Sequence, residues 1–259
     1  MTTGGKTRPV TSPRAGMVYR RGVPDDAASA VITMKTTQSD VFSTECRRCR
    51  RLALFLDGVR QEFPSYFCRP VPPYGDPDAR LLIVGLAPGM HGANRSGRPF
   101  TGDYAGLLLY RTLHKFGFAN RAQSVHVGDG LLLSGCRITN AVKCLPPENK
   151  PAVDEVKRCN GYLASELAML PKAAAVLALG GIAHKAVLIA AGEKAADRKF
   201  AHGAQHRLEC GLMLFDSYHC SRYNTQTRRL TEPMFEQVFA AIGRFFQDQT
   251  VAAKRPDEE

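Results

Sequence analysis

Leu81-Leu82-Ile83-Val84-Gly85-Leu86, running into Ala87-Pro88-Gly89, is the stretch that decides the fold. Its apolar residues do not alternate with polar ones, which is the pattern of a strand buried on both faces, as in a parallel sheet. Working outward, Asp103 precedes Leu107, Leu108, Tyr110, Arg111 and Leu113, a helical spacing with an N-cap in front. Arg137-Ile138-Thr139-Asn140-Ala141-Val142 reads as a second strand. Pro151 opens a helix carrying Val153, Val156, Leu163, Leu167 and Leu170. Ala175-Val176-Leu177-Ala178-Leu179 with Gly180-Gly181 is a third strand and turn, followed by a short helix over 183–191. Leu212-Met213-Leu214-Phe215 is a fourth strand, and 233–246 a last amphipathic helix. Strands alternating with helices of these lengths require crossovers, so the class is α/β, with a mostly parallel sheet covered on both faces.

The composition agrees with a globular domain. Of 259 residues, 44% are hydrophobic, enough for a core and too many for a disordered chain. Lys and Arg outnumber Asp and Glu by 35 to 24, a net charge of +11 that favours a polyanionic partner, with nucleic acid first. No apolar run reaches the ~18 residues of a membrane span, and the N-terminus has no apolar signal core, so neither a membrane anchor nor secretion is expected. Residues 1–39 read as a basic tail without periodicity, 40–248 as a single domain, and 249–259 as a short polar tail. The basic tail is read as a solvated N-terminus, with an arm adding nonspecific DNA affinity as the other reading.

Three segments follow strand ends: 87–103, 140–143 and 219–224. In parallel sheets the ligand sits at the carboxyl ends of the strands, and these are also the most chemically loaded stretches of the chain. The first is long and Gly-rich, as functional loops are, and its glycines permit close backbone approach to a ligand. Phe100 offers a ring face on which a nucleobase can stack. Asp103 can orient a water or stabilise a developing cation; the plainer reading is a helix cap alone. The pattern G-x-x-x-x-G-K-[ST] is missing, so a P-loop is excluded. The last loop carries His219, Ser221, Arg222, Tyr223 and Asn224, which suit contacts to a substrate oxygen and to phosphates.

Cys46 and Cys49 are spaced C-x2-C within an Arg-rich stretch, and Cys144 and Cys159 are spaced C-x14-C around a Pro-rich loop. Four thiolates from two such pairs can hold either a tetrahedral zinc or a [4Fe–4S] cluster, and the spacing leaves the two open. Cys68, Cys136, Cys210 and Cys220 are not needed for it.

Taken together, Gly85-Leu86-Ala87-Pro88-Gly89, Gly97-Arg98-Pro99-Phe100-Thr101-Gly102-Asp103, Thr139-Asn140-Ala141-Val142-Lys143-Cys144 and the segment 219–227 resemble the family 5 (type B) uracil-DNA glycosylases. The resemblance covers roughly residues 46–246. It implies a three-layer α/β/α sandwich around a four-stranded, mostly parallel sheet, and a [4Fe–4S] cluster on Cys46, Cys49, Cys144 and Cys159. It implies hydrolysis of the N-glycosidic bond of uracil in DNA after base flipping, with hypoxanthine and other damaged bases as further substrates. By the resemblance, Asp103, Asn140 and His219 are catalytic: Asn140 reads the base edge, His219 assists the leaving group and Asp103 is the carboxylate. Gly85, Ala87, Pro88, Gly89 and Phe100 complete the base pocket, and His91, Asn94, Arg95, Ser221, Arg222, Tyr223 and Asn224 line the DNA. The expected protein is a monomer of the cytoplasm, associated with the nucleoid. Where related enzymes often place an acidic or amide residue in the first motif, this chain has Ala87. Where the family's second motif begins His-Pro-Ser, this chain has His219-Cys220-Ser221, which predicts a more mobile loop or an exposed thiol. The competing expectations are a noncatalytic nucleic-acid-binding protein with a structural four-cysteine metal site, and a hydrolase of free nucleotides.

Overall fold

The structure is a computed structural model that describes residues 41–194 and 196–253. Four five-residue parallel strands form its centre: β2 (Leu81–Gly85), β3 (Cys136–Asn140), β4 (Ala175–Leu179) and β6 (Met213–Ser217). Two short strands, β1 (Tyr74–Gly75) and β5 (Gln205–Arg207), pair antiparallel with β3 and β6 at the two edges. The sheet therefore has six strands in the order β1-β3-β2-β4-β6-β5, not the four expected. The edges carry no sequence signal, because two residues are too few to show a period, and Gln205 and Arg207 are exposed and polar.

Alternate residues of each central strand enter opposite cores. Leu81, Ile83, Ile138, Leu177 and Phe215 pack with helices α3 (Tyr104–Lys115) and α7 (Glu232–Ala253). Leu82, Val84, Val176, Ala178 and Leu214 pack with Leu52 of α1 (Arg50–Glu62), Val156 and Leu163 of α4 (Val153–Ala168) and Val187 of α5 (Gly181–Ala190). Both strand faces are apolar because both are covered, which gives the α/β/α layering.

Several boundaries differ from expectation. α1 has no counterpart among the expected elements; its Arg-rich start hides the buried stripe Leu52, Ala53, Leu56 and Val59. α4 starts at Val153 rather than Pro151, because the Glu155 carboxylate accepts a hydrogen bond from the backbone N–H of Ala152 (2.7 Å). α7 runs to Ala253, so residues 249–253 are helical rather than a tail. Gln249 anchors that end by donating to the Ala173 carbonyl (3.0 Å). The expected basic tail at 1–39 lies outside the described residues. Among the described residues, no helix is long and apolar enough to cross a membrane.

Candidate active site and cysteine centre

The parallel register sets Gly85 at the end of β2 beside Asn140 at the end of β3. The space above Gly85 is filled by what a functional pocket would need. A Cβ there would collide with Asn140 Oδ1 and would come within 2.7 Å of the Phe100 ring. Asn140 is 3% exposed, and its Oδ1 is a buried acceptor with no hydrogen-bond partner. Such an atom costs roughly 1–3 kcal/mol unless a ligand satisfies it. The imidazole of His219, delivered by the segment after β6, lies alongside Phe100 with ring centroids 5.9 Å apart and planes inclined by 29°. Gly85, Phe100, Asn140 and His219 thus converge on one spot. Burial pushes the His219 imidazole down to about 4, so it is neutral at physiological pH and offers an N–H without a charge.

Phe100 reaches this position with φ at +54°, a left-handed conformation that is costly for a non-glycine residue. Neighbouring contacts hold it there. Tyr110 of α3 donates to the Pro99 carbonyl (2.7 Å). Buried Arg98 donates to Thr101 Oγ1 (2.8 Å), to Ser124 Oγ (2.7 Å) and to Asp129 (2.7 Å). Burial works against the Asp129 charge, yet Arg98 and the N–H groups of Leu131 and Val125 hold that carboxyl far below the usual range. Gly106 completes the support, since a Cβ at 106 would overlap the Phe100 carbonyl oxygen. In the sequence, Arg98 is a motif residue and Tyr110 a helix-pattern residue, but neither of them, nor Gly106 or Asp129, is expected from it to support Phe100. Nothing in local spacing says that a glycine in a helix faces the carbonyl of a loop residue ahead of it.

Asp103 is the N-cap of α3, its Oδ1 accepting from the Gly106 N–H (2.8 Å). Its Oδ2 faces the other way, against Gly92, where a Cβ would stand 2.6 Å from it. Burial raises the Asp103 carboxyl above the ordinary carboxylate value, with the N–H groups of Gly106 and Ala105 opposing. The cap therefore uses one carboxylate oxygen and leaves the other, Oδ2, outside the helix-capping contact.

Cys220 is fully buried in the core shared with α3 and α7, so the expected exposed thiol is not found. Residues 222–226 form a helical turn, α6 (Arg222–Gln226), capped by Ser221. Asn224 Nδ2 donates back to the His219 carbonyl (2.8 Å), bracing the segment that carries the imidazole. Arg222 lies over the exposed Tyr104 ring at 5.0 Å, and Tyr223 is 70% exposed. His91 is exposed and bonded to Tyr66 (2.9 Å), and Arg95 is exposed beside Gly102. Asn94 departs from expectation. It is 0% exposed and donates to Cys68 Sγ (3.6 Å), so it braces the loop from inside and has no surface for DNA. Pro88 is buried, Ala87 packs against the core beneath β2, and the Gly89 carbonyl accepts from Gly92 and Asn94, so these three shape the loop behind the pocket.

Cys46, Cys49, Cys144 and Cys159 line one cleft with Leu52, Pro70 and Val142. All four are free thiols. Cys49 caps α1, Cys159 lies in α4, and Cys159 Sγ accepts from the Lys143 N–H (3.3 Å). Burial raises the Cys159 thiol to about 11, and burial together with Cys159, Cys46 and Cys49 raises Cys144 further. Thiols so placed need a cation to be held as thiolates. Among the described residues, the one group of three or more such ligand atoms within 4.8 Å of one another is His184, His206 and Asp216.

A family model described as the uracil DNA glycosylase superfamily matches residues 72–243. A type-5 uracil-DNA glycosylase of Thermus thermophilus is 46% identical over 206 residues, 78% of this chain and 94% of that protein. One of the same description from Pyrobaculum aerophilum is 43% identical over 198 residues, 74% of this chain and 85% of the relative. A type-4 uracil-DNA glycosylase of Sulfurisphaera tokodaii is 30% identical over 175 residues, 65% of this chain and 72% of the relative.

Proposed function

Because the chain belongs to the uracil-DNA glycosylase superfamily, we propose that it excises uracil from DNA, cutting the N-glycosidic bond and leaving an abasic site. The observation that carries the base assignment is the unpartnered Asn140 Oδ1 above Gly85. A buried acceptor facing the ring nitrogen of that edge selects a base with an N–H there rather than a lone pair. Uracil N3–H and hypoxanthine N1–H qualify, whereas the corresponding ring nitrogens of cytosine and adenine are acceptors. Hypoxanthine is accordingly the proposed second substrate.

The flipped base lies against the Phe100 ring with its edge on Asn140. As the bond from C1′ to the base nitrogen breaks, its electron pair goes to the base and positive charge grows on the sugar. Neutral His219 donates a hydrogen bond to the base oxygen where negative charge gathers. The Asp103 carboxylate stabilises the sugar cation and orients the water that adds at C1′. Arg95, Arg222 and Tyr223 meet the DNA around the lesion, Arg222 braced by Tyr104.

Four thiols lining one cleft, from the C-x2-C and C-x14-C pairs, are a donor set that fits a [4Fe–4S] cluster on Cys46, Cys49, Cys144 and Cys159. Bound there, it would cross-link the segment before α1 with the β3–α4 connection and α4. The protein is proposed to act as a monomer in the cytoplasm, on nucleoid DNA, and its net charge of +11 suits that partner.

The test is single-turnover excision from matched oligonucleotides carrying uracil, hypoxanthine, cytosine or adenine. Cleavage of the first two alone is expected. Equal cleavage of cytosine would overturn the role of the Asn140 oxygen, and no cleavage by cluster-loaded protein would favour a noncatalytic DNA binder.

A further inference from the structure

Away from the base pocket and the cysteines, a second group of metal-type ligands gathers at the β5 side of the sheet. His184 lies on α5, His206 on β5 and Asp216 on β6. His184 Nδ1 is 2.8 Å from Asp216 Oδ1, and His206 Nε2 is 3.3 Å from Asp216 Oδ2. One ligand atom from each residue lies within 4.8 Å of the others. His184 and Asp216 are 1% and 0% exposed, and the His206 side chain is 15% exposed, so the group is enclosed apart from one opening.

We propose that His184, His206 and Asp216 form a divalent metal site that takes Zn2+, separate from the four cysteines. Two imidazoles and one carboxylate are a donor set suited to zinc, and three protein ligands leave a fourth position for water on the His206 side. The surroundings favour a ligand over a simple ion pair. The far nitrogen of His184, Nε2, donates to the Arg198 carbonyl (3.0 Å). That bond fixes the ring and directs Nδ1 at the carboxylate, the arrangement by which backbone carbonyls orient metal-binding imidazoles. Phe200 packs edge-on to the His184 ring at 5.7 Å and shields it. The rival occupant of Nδ1 is a proton shared with Asp216.

Zinc here ties α5, β5 and β6 together. Asp216 is three residues before His219, and the next residue, Ser217, ends β6. The metal therefore holds the strand that delivers the imidazole without touching the base.

The experiment equilibrates cluster-loaded, full-length protein with Zn2+, removes the excess, and measures zinc and iron per chain with the thermal midpoint. Wild type is expected to keep one zinc beyond its iron content and to melt at a higher temperature with it. His206→Ala is expected to weaken zinc binding about 10²-fold or more with iron content unchanged. His206→Gln serves if the alanine variant does not fold. With Co2+ added in place of zinc, the cobalt-minus-zinc difference spectrum is expected to show no added cobalt–thiolate charge-transfer band. No retained zinc, retention undiminished in the His206 variants, or a cobalt–thiolate band would each overturn the site and leave a buried ion pair.

Discussion

At Asn140 the chemistry turns on one oxygen. Its Oδ1 has no partner in the protein, so truncation removes both a base contact and a buried polar atom. Asn140→Ala is expected to cut uracil excision about 10²-fold while leaving thermal stability equal or higher, and to narrow the gap between uracil and cytosine; unchanged base selectivity in kcat/KM would remove its reading role. Asp103 is testable by pH. Its carboxyl is raised by burial, so the required carboxylate is lost as pH falls through that raised value. His219, held down near 4, is neutral above that pH. The acid limb of the excision rate is thus expected to lie above the ordinary carboxylate range, and Asp103→Asn to lower the rate about 10²–10³-fold while abolishing that limb and sparing DNA affinity. The convergence of Phe100, Asn140 and His219 was legible in the sequence because all three lie at or after strand ends; the role of Asp103 remains a proposal. Asn94 was misplaced because burial of a loop residue depends on a distant partner, here Cys68.

At the scale of elements, α3 does two jobs. Its first turn caps on Asp103, and Gly106 within it leaves room for the Phe100 carbonyl. A helix glycine replaced by alanine normally gains about 1 kcal/mol. Here Gly106→Ala is expected to destabilise by about 1–3 kcal/mol and to lower kcat/KM for uracil by displacing the Phe100 ring; denaturant melts and excision kinetics check both, and a stabilised, fully active variant would show that Phe100 needs no such room. Strands β2 and β4 were readable because burial on both faces erases the polar alternation, while β3 keeps Arg137 and Thr139 at alternate positions. β1 and β5 were not, since their pairing is set by the neighbours they meet rather than by any pattern of their own. α1 was hidden for a related reason: its apolar stripe is narrow, and the arginines before it dominate the composition.

Across the whole molecule, the proposed cluster would join chain segments far apart in sequence, Cys49 to Cys144. Closing a loop of ~100 residues in the unfolded chain is worth about 4–5 kcal/mol by analogy with a disulfide. Cys159→Ser is therefore expected to lose iron and to lower the thermal midpoint by several degrees, with uracil excision at low temperature partly retained. A midpoint unchanged on iron loss would mean that packing alone holds α1 in place. The short edge strands have a consequence of another kind. A parallel sheet with bare margins is a template on which a second chain can add itself, the first step toward fibrous aggregates. Here one margin ends in a two-residue strand containing Gly75, and the other in Gln205, His206 and Arg207, with Gln205 and Arg207 turned to water. Neither offers enough backbone for an incoming strand to register. Growth of fibres by strand addition at either edge of this sheet is thereby disfavoured.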